Sequence, residues 1–163
     1  MSQNAVLVTG AAGFIGFHVA QRLLSNGRRV VGLDVLNNYY DPKLKEARLE
    51  ILKRHPNFTF VKLDLTDRAA TKSLFAQHRF PAVIHLAAQA GVRYSLEHPH
   101  AYTDANVEGF VNVLEAAATT RASTCCLHPR PRCMAPTPSC HFQCRTMSII
   151  RSAFMPRRKR PMS

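Results

Sequence analysis

The chain has 163 residues, 46% of them hydrophobic and 20% charged, which suits one folded domain and excludes a chain that is disordered throughout. No uninterrupted apolar stretch approaches the roughly 18–20 residues of a membrane-spanning helix. No basic segment precedes an apolar run at the start of the sequence, as it would in a secretory signal. We therefore expect no membrane partner and a location in the cytoplasm.

The net charge of +12 is concentrated near the end of the sequence. Residues 1–117 contain 13 Lys and Arg against 10 Asp and Glu, whereas residues 118–163 contain 9 Lys and Arg and no acid. All seven glycines precede this boundary, and all five cysteines follow it. Two compositions meet near Ala117, and they predict a folded domain at 1–117 followed by an irregular, disordered basic tail at 118–163.

Strand patterns and helix patterns alternate through the first segment. Short apolar and β-branched runs predict strands at 5–9, 29–34, 58–63 and 82–87. Apolar residues at helical spacing predict a helix that ends at Asn26-Gly27 and further helices at 42–54, 67–77 and 99–117. This alternation is typical of an α/β fold, a Rossmann-type doubly wound parallel sheet. We expect the strand order three-two-one-four, with the fourth strand as an open edge.

A glycine-rich loop, Thr9-Gly-Ala-Ala-Gly-Phe-Ile-Gly16, joins the first strand to the first helix. Its glycines allow a tight turn, a close approach of the backbone to a pyrophosphate, and close packing of helix on strand. The free N–H groups of the helix N-terminus suit a phosphate. The predicted cofactor contacts here are Gly10, Gly13, Phe14, Ile15 and Gly16. The alternative is three glycines in an ordinary turn.

Acidic residues end the second and third strands. Asp34 follows Gly16 by 18 residues, where a carboxylate accepts hydrogen bonds from the adenosine ribose and repels a 2′-phosphate. The pattern therefore favours NAD over NADP, although Asp34 would also suit a plain strand-ending turn. Asp64-Leu65 follows the third strand, where it would contact the adenine or simply cap the next segment.

These motifs resemble the NAD-dependent nucleotide-sugar epimerases and dehydratases, a group of extended short-chain dehydrogenase/reductases. The resemblance covers residues 5–117. It is carried by the glycine loop, Asp34 with Asn37, Asp64-Leu65, His85-Leu-Ala-Ala88 and Asn106-Val-Glu-Gly109. Within the group, residues 33–41 and 89–95 are most similar to the UDP-glucuronate 4-epimerases.

The resemblance implies NAD as cofactor, a UDP-sugar as substrate, and reversible hydride transfer that inverts C4 of the sugar. It also implies that the family is often homodimeric, with the dimer surface missing from this chain. Asn37, Leu86, Ala87 and Ala88 would contact the cofactor, and Asn106 would lie on its nicotinamide side. Arg93 would face the sugar nucleotide or remain a solvated surface arginine. For His85, a cofactor role and simple packing at a strand end both stay open.

The resemblance places the catalytic base, the Tyr of a Tyr-x-x-x-Lys pair, after a serine-rich turn that follows strand five. Residues 118–163 contain no tyrosine, so we predict no catalytic residue. In a shifted reading frame, codon choices from Leu127 to Ser163 permit the serine turn and the Tyr-x-x-x-Lys pair. We hypothesise a frame change near Ala117, and expect no turnover and weak or no NAD binding.

Other interpretations of the tail remain open. It would also suit a natural basic extension, and residues 157–161 a localisation or nucleic-acid patch, although aromatic residues for base stacking are few. The cysteines lack paired Cys-x-x-Cys spacing, so we predict no metal site. The competing functions are another nucleotide-sugar epimerase or dehydratase, and a non-catalytic NAD-binding or basic adaptor protein.

Overall fold

A computed structural model describes residues 5–37, 39, 41–120, 122 and 124–127. The predictions for residues 128–163, including the frame change and the irregular tail, lie outside these described residues. Within them, no helix is both long and apolar enough to cross a membrane.

The described strands form one parallel sheet of five strands in the order β3-β2-β1-β4-β5. The strands are β1 (Ala5–Thr9), β2 (Arg29–Asp34), β3 (Phe58–Lys62), β4 (Ala82–His85) and β5 (Thr124–Leu127). The parallel α/β architecture and the order of the first four strands confirm the prediction.

Helices follow the strands in alternation. They are α1 (Phe14–Ser25), α2 (Pro42–Lys53), α3 (Arg68–His78), α4 (Val92–Glu97), α5 (Pro99–Thr103) and α6 (Gly109–Thr119). The first three match the prediction closely, because Asp41 and Asp67 cap α2 and α3 with their carboxylates. The predicted single helix at 99–117 is interrupted by one π-helical segment, Asp104–Glu108, and α4 was not predicted.

The sheet is covered on both faces, as parallel sheets generally are. Alternate residues of β1 point to opposite sides: Leu7 packs in one apolar cluster with side chains of α3 and α6, and Val8 in another with side chains of α1 and α2. This two-sided core holds the carboxyl ends of β1, β2 and β4 next to one another, where ligands of such sheets bind.

The fourth strand differs from its prediction in two respects. It ends at His85 rather than Ala87, so the next residues are free to turn over the end of β1. The prediction that β4 is an open edge is wrong, because β5 pairs with it in parallel register. The ordered sheet therefore continues past the predicted boundary at Ala117.

Candidate functional site

The glycine loop turns sharply where β1 meets the end of β4. Gly10 has a φ of +69°, and a Cβ on it would lie 2.9 Å from the backbone nitrogen of Ala87. A side chain here would therefore be strained by the backbone and would collide with the neighbouring turn. The close approach leaves two backbone segments facing one cleft.

The start of α1 is held tightly against this loop. The N–H of Gly13 donates to the carbonyl of Gly10 at 3.0 Å, and a Cβ on Gly16 would lie only 2.0 Å from that same carbonyl oxygen. Gly13 is the N-cap of α1, and no side chain of the described residues caps it. The helix N-terminus thus keeps unpaired amides and no acid in its first turn, which suits an anion.

Asp34 joins the glycine loop to the end of β2. Its side chain is buried, and one carboxylate oxygen accepts from the N–H of Ala12 at 3.1 Å while the other accepts from Leu36 at 2.9 Å. A carboxylate has about four acceptor sites, so capacity remains for further donors. The carboxylate therefore lies beside the loop that the sequence predicts for pyrophosphate.

Sequence reasoning missed Lys45, which α2 brings to the same carboxylate. Its ammonium lies 3.5 Å from Asp34 and donates to the side-chain oxygen of Asn37 at 2.8 Å. The residue is only 8% exposed, which is unusual for lysine. The ion pair with Asp34 offsets the cost of removing the ammonium from water. The sequence carries no signal for this burial, because Lys45 stands among other charged residues of an amphipathic helix.

A buried polar cluster fixes the turn after β4. The hydroxyl oxygen of Thr9 lies 2.8 Å from Nδ1 of His85 and 3.1 Å from each of the backbone nitrogens of Leu86 and Ala87. Burial lowers the pKa of His85 to about 4, because a charged imidazolium would lose its hydration there. His85 is therefore neutral at physiological pH.

Asn106 lies in the π-helical segment and holds the chain just beyond this turn. Its side-chain oxygen accepts from the N–H of Gln89 at 2.8 Å, and its side-chain nitrogen donates to the carbonyl of Gln89 at 3.0 Å. Both polar groups of the Asn106 side chain are thereby engaged with one residue of backbone. The structure thus gives Asn106 a backbone-holding role, and its predicted place beside a nicotinamide stays a prediction.

These segments line an open cleft. The predicted residues that line it are Gly10, Gly13, Asp34, Asn37, Asp64, Leu65, Leu86, Ala87 and Ala88. Gln89 also lines it, and its buried side-chain nitrogen has no hydrogen-bond partner among the described residues. A buried donor without an acceptor at the wall of a cleft is what a bound polar ligand would satisfy.

The remaining predicted residues lie outside this lining. Gly16 is buried behind the loop, and Phe14 and Ile15 are exposed on the first turn of α1, where Arg48 lies over the Phe14 ring at 5.9 Å. Arg93 is exposed on α4. Contacts of these side chains with a cofactor or a substrate therefore stay predictions.

The Tyr-x-x-x-Lys spacing does occur once in the chain, at Tyr39 and Lys43, which sequence reasoning overlooked. Tyr39 lines the cleft, whereas Lys43 is exposed at the start of α2, where its backbone N–H donates to the capping carboxylate of Asp41. The pair precedes α2 and therefore lies far in sequence from the position after strand five that the resemblance implies. We assign no catalytic role to it.

Comparison with known proteins gives one consistent result. Residues 7–128 match the family model described as GDP-mannose 4,6 dehydratase. The chain is 53% identical over 111 residues to UDP-glucuronate 4-epimerase 3 of Arabidopsis thaliana, and 51% identical over 109 residues to UDP-glucuronate 4-epimerase of Thermodesulfobacterium geofontis. These alignments cover 68% and 67% of this chain but only 26% and 34% of the relatives, so the chain spans about a third of their length or less.

Solved structures agree with the sequence matches. The UDP-glucuronic acid 4-epimerase of Bacillus cereus, in complex with UDP-glucuronic acid and NAD, superposes with a TM-score of 0.64 at 34% identity. That superposition covers 70% of this chain and 36% of the other. A UDP-glucose 4-epimerase of Thermus thermophilus in complex with NAD gives a TM-score of 0.61 at 34% identity, covering 72% of this chain and 35% of the other.

Proposed function

This chain belongs to the GDP-mannose 4,6 dehydratase family of nucleotide-sugar epimerases and dehydratases, and on that premise we propose that it forms the NAD-binding half of a UDP-glucuronate 4-epimerase. The observation that carries the proposal is the glycine cradle. Gly10 and Gly13 leave backbone space beside the buried carboxylate of Asp34 in one cleft, and the uncapped N-terminus of α1 adds unpaired amides. A dinucleotide needs these two features together, an anion site and a ribose acceptor.

Each part of the cleft has a task in binding. The N-terminal amides of α1 bind the diphosphate, and the loop glycines let it approach the backbone. Asp34 accepts from a ribose hydroxyl with the capacity that Ala12, Leu36 and Lys45 leave unused. Bound NAD supplies reversible hydride acceptance in this family, and the chain's own residues bind and orient it.

This chain provides contacts for one half of NAD and few for the other. The adenosine and diphosphate half meets parts of the cleft that this chain provides, namely Gly10, Gly13, Asp34, Asp64 and Leu65. The tyrosine and lysine that the family resemblance places after strand five have no counterpart in residues 118–163. We therefore expect this chain to bind NAD weakly, mainly through its adenosine diphosphate portion, and to show no turnover.

Calorimetric titration of the 163-residue chain with NAD, ADP-ribose and NADP tests this proposal. NAD and ADP-ribose should bind with similar affinity, because the nicotinamide adds few contacts. NADP should bind at least tenfold more weakly, since the Asp34 carboxylate repels a 2′-phosphate. A folded chain that releases no heat with either NAD or ADP-ribose would contradict the proposal.

Two glycine variants separate binding from folding. Gly13→Ala places a methyl group 3.1 Å from the Gly10 carbonyl, at the mouth of the anion site, and should weaken NAD binding by about tenfold. Gly27→Ala is the matched control, because Gly27 also lies in a turn, with a φ of +72°, but has open space around it. The control should lose stability and keep its affinity for NAD.

The substrate of the complete enzyme is tested separately. UDP-glucuronate is proposed because relatives with that activity are more than 50% identical to this chain, whereas the family model is described as a dehydratase. A full-length enzyme that carries residues 1–117 of this chain should interconvert UDP-glucuronate and UDP-galacturonate. Conversion of a different nucleotide sugar, or its dehydration, would assign the chain to another branch of the family.

A further inference from the structure

The Thr9 hydroxyl is the centre of a largely buried hydrogen-bond cluster that includes two residues of the cleft lining, Leu86 and Ala87. Thr9 is 0% exposed and His85 is 6% exposed. The hydroxyl oxygen faces two backbone donors, the N–H groups of Leu86 and Ala87, each at 3.1 Å. The third neighbour is Nδ1 of His85, at 2.8 Å.

Counting donors and acceptors in this cluster leaves one possible set of hydrogen-bond directions. A hydroxyl oxygen has two lone pairs and one proton, and both lone pairs here accept from backbone N–H groups. The hydroxyl proton must therefore be donated to Nδ1 of His85, which requires that Nδ1 carry no proton. A neutral imidazole whose Nδ1 is an acceptor carries its proton on Nε2.

We infer that His85 is a positioning residue of the cofactor cleft: its unprotonated Nδ1 orients the Thr9 hydroxyl, and the hydroxyl in turn holds the turn at Leu86 and Ala87. The function proposed above concerns the glycine loop and Asp34. This inference adds a role for His85 and depends on the proposed function only for its ligand-binding test.

The turn at Leu86 and Ala87 is packed closely against the glycine loop, so a small shift of its backbone would change the cleft. A Cβ on Gly10 would meet Ala87 N at 2.9 Å and the Leu86 carbonyl carbon at 3.0 Å, so these backbones are already in close contact. Ala87 and Gly10 both line the cleft. Displacement of the turn would therefore change the wall that faces the ligand, without any change in a residue that the ligand touches.

Simple packing is the competing explanation for His85. Its ring lies 5.9 Å from the ring of Phe110, as a packed aromatic side chain would. A packing role requires volume only, whereas the positioning role requires a hydrogen-bond acceptor at the place of Nδ1. His85→Asn supplies an oxygen near that place, and His85→Leu supplies volume without an acceptor, so the two variants separate the explanations.

The first test needs no ligand. In the 163-residue chain labelled with ¹⁵N, the imidazole shifts of His85 should show protonated Nε2 and unprotonated Nδ1 at neutral pH. Hydrogen exchange at the amides of Leu86 and Ala87 should be about tenfold faster in His85→Leu and unchanged within twofold in His85→Asn. An Nδ1–H tautomer, or exchange that is equally fast in both variants, would overturn the inference.

The second test uses NAD affinity measured by calorimetry. His85→Leu and Thr9→Val should each weaken NAD binding by about fivefold to tenfold, and the double variant should be no weaker than either single one, because both break the same chain of contacts. His85→Asn should stay within about twofold of the parent. Variants that lower the melting temperature and leave NAD affinity unchanged would show that His85 only packs. Failure of the parent chain to bind NAD would count against the proposed function, and the exchange test would still decide this inference.

Discussion

At the scale of single residues, His85 links acidity to the stability of the fold. Burial lowers its pKa from about 6.5 to about 4. Between these values the unfolded chain binds a proton that the folded chain does not, so the free energy of unfolding falls as the pH falls from 6.5 towards 4. A pKa difference of this size corresponds to about 3 kcal/mol, most of it lost by pH 4.

Urea unfolding at pH 7 and pH 5 measures this loss. The parent chain should lose about 2 kcal/mol between these two values, because most of the titration of the unfolded histidine lies there. His85→Asn cannot titrate and should lose much less. Equal losses in parent and His85→Asn would refute the prediction.

The ion pair of Lys45 and Asp34 predicts a second effect at this scale. Lys45→Met keeps the length and the apolar stem of the side chain but leaves the buried Asp34 carboxylate without its cation. Removing one partner of a buried pair costs about 3 kcal/mol or more, and we expect a loss near that figure in urea unfolding at pH 7.

The exposed pair of Arg68 and Glu115 is the matched control. Its atoms are closer, at 2.8 Å against 3.5 Å for the buried pair, but its side chains are 69% and 48% exposed. Water competes for exposed charges, so Arg68→Met should change the free energy of unfolding little. If Arg68→Met lost as much stability as Lys45→Met, burial would not be what makes the Lys45–Asp34 pair costly to break.

At the scale of elements, the π-helical segment Asp104–Glu108 contains Asn106, a residue whose substitution should lower the free energy of unfolding. A π segment accommodates one extra residue in a helix, and here it directs Asn106 toward the backbone of Gln89. Asn106→Ala removes two hydrogen bonds from a partly buried backbone and should destabilise the chain by about 2 kcal/mol in urea unfolding. Asn57→Ala, at an exposed position before β3, should change stability little.

Elements with local signals were predictable and those set by distant contacts were not. The strand and the helix on either side of the glycine loop, at residues 5–25, follow from turn chemistry and apolar spacing, and both are confirmed. The π segment has no residue that breaks a helix, and Asn106 forms it through partners 17 residues away. Lys45 is buried because α2 turns it toward Asp34, and its sequence neighbours do not reveal that contact.

At the scale of the whole molecule, β5 shows why composition did not predict the extent of the sheet. Thr124–Leu127 lies beyond the change in composition at Ala117, yet it pairs with all four residues of β4. Pairing in a parallel sheet uses backbone groups that every residue except proline provides. Side-chain composition therefore predicted the core of the domain but not the strand that covers its edge.

The edge of β4 leads to a prediction about solubility. Ala82–His85 is an apolar strand except at its end, and its outer backbone groups are paired by β5. An exposed edge of this kind is a template for pairing between chains. A chain that ends at residue 120 should therefore associate at micromolar concentrations, whereas a chain that ends at residue 128 and keeps β5 should stay monodisperse. Light scattering coupled to size-exclusion chromatography compares the two. If both chains stayed monodisperse, β5 would not be what protects this edge, and if both associated, the association would arise from a surface outside it.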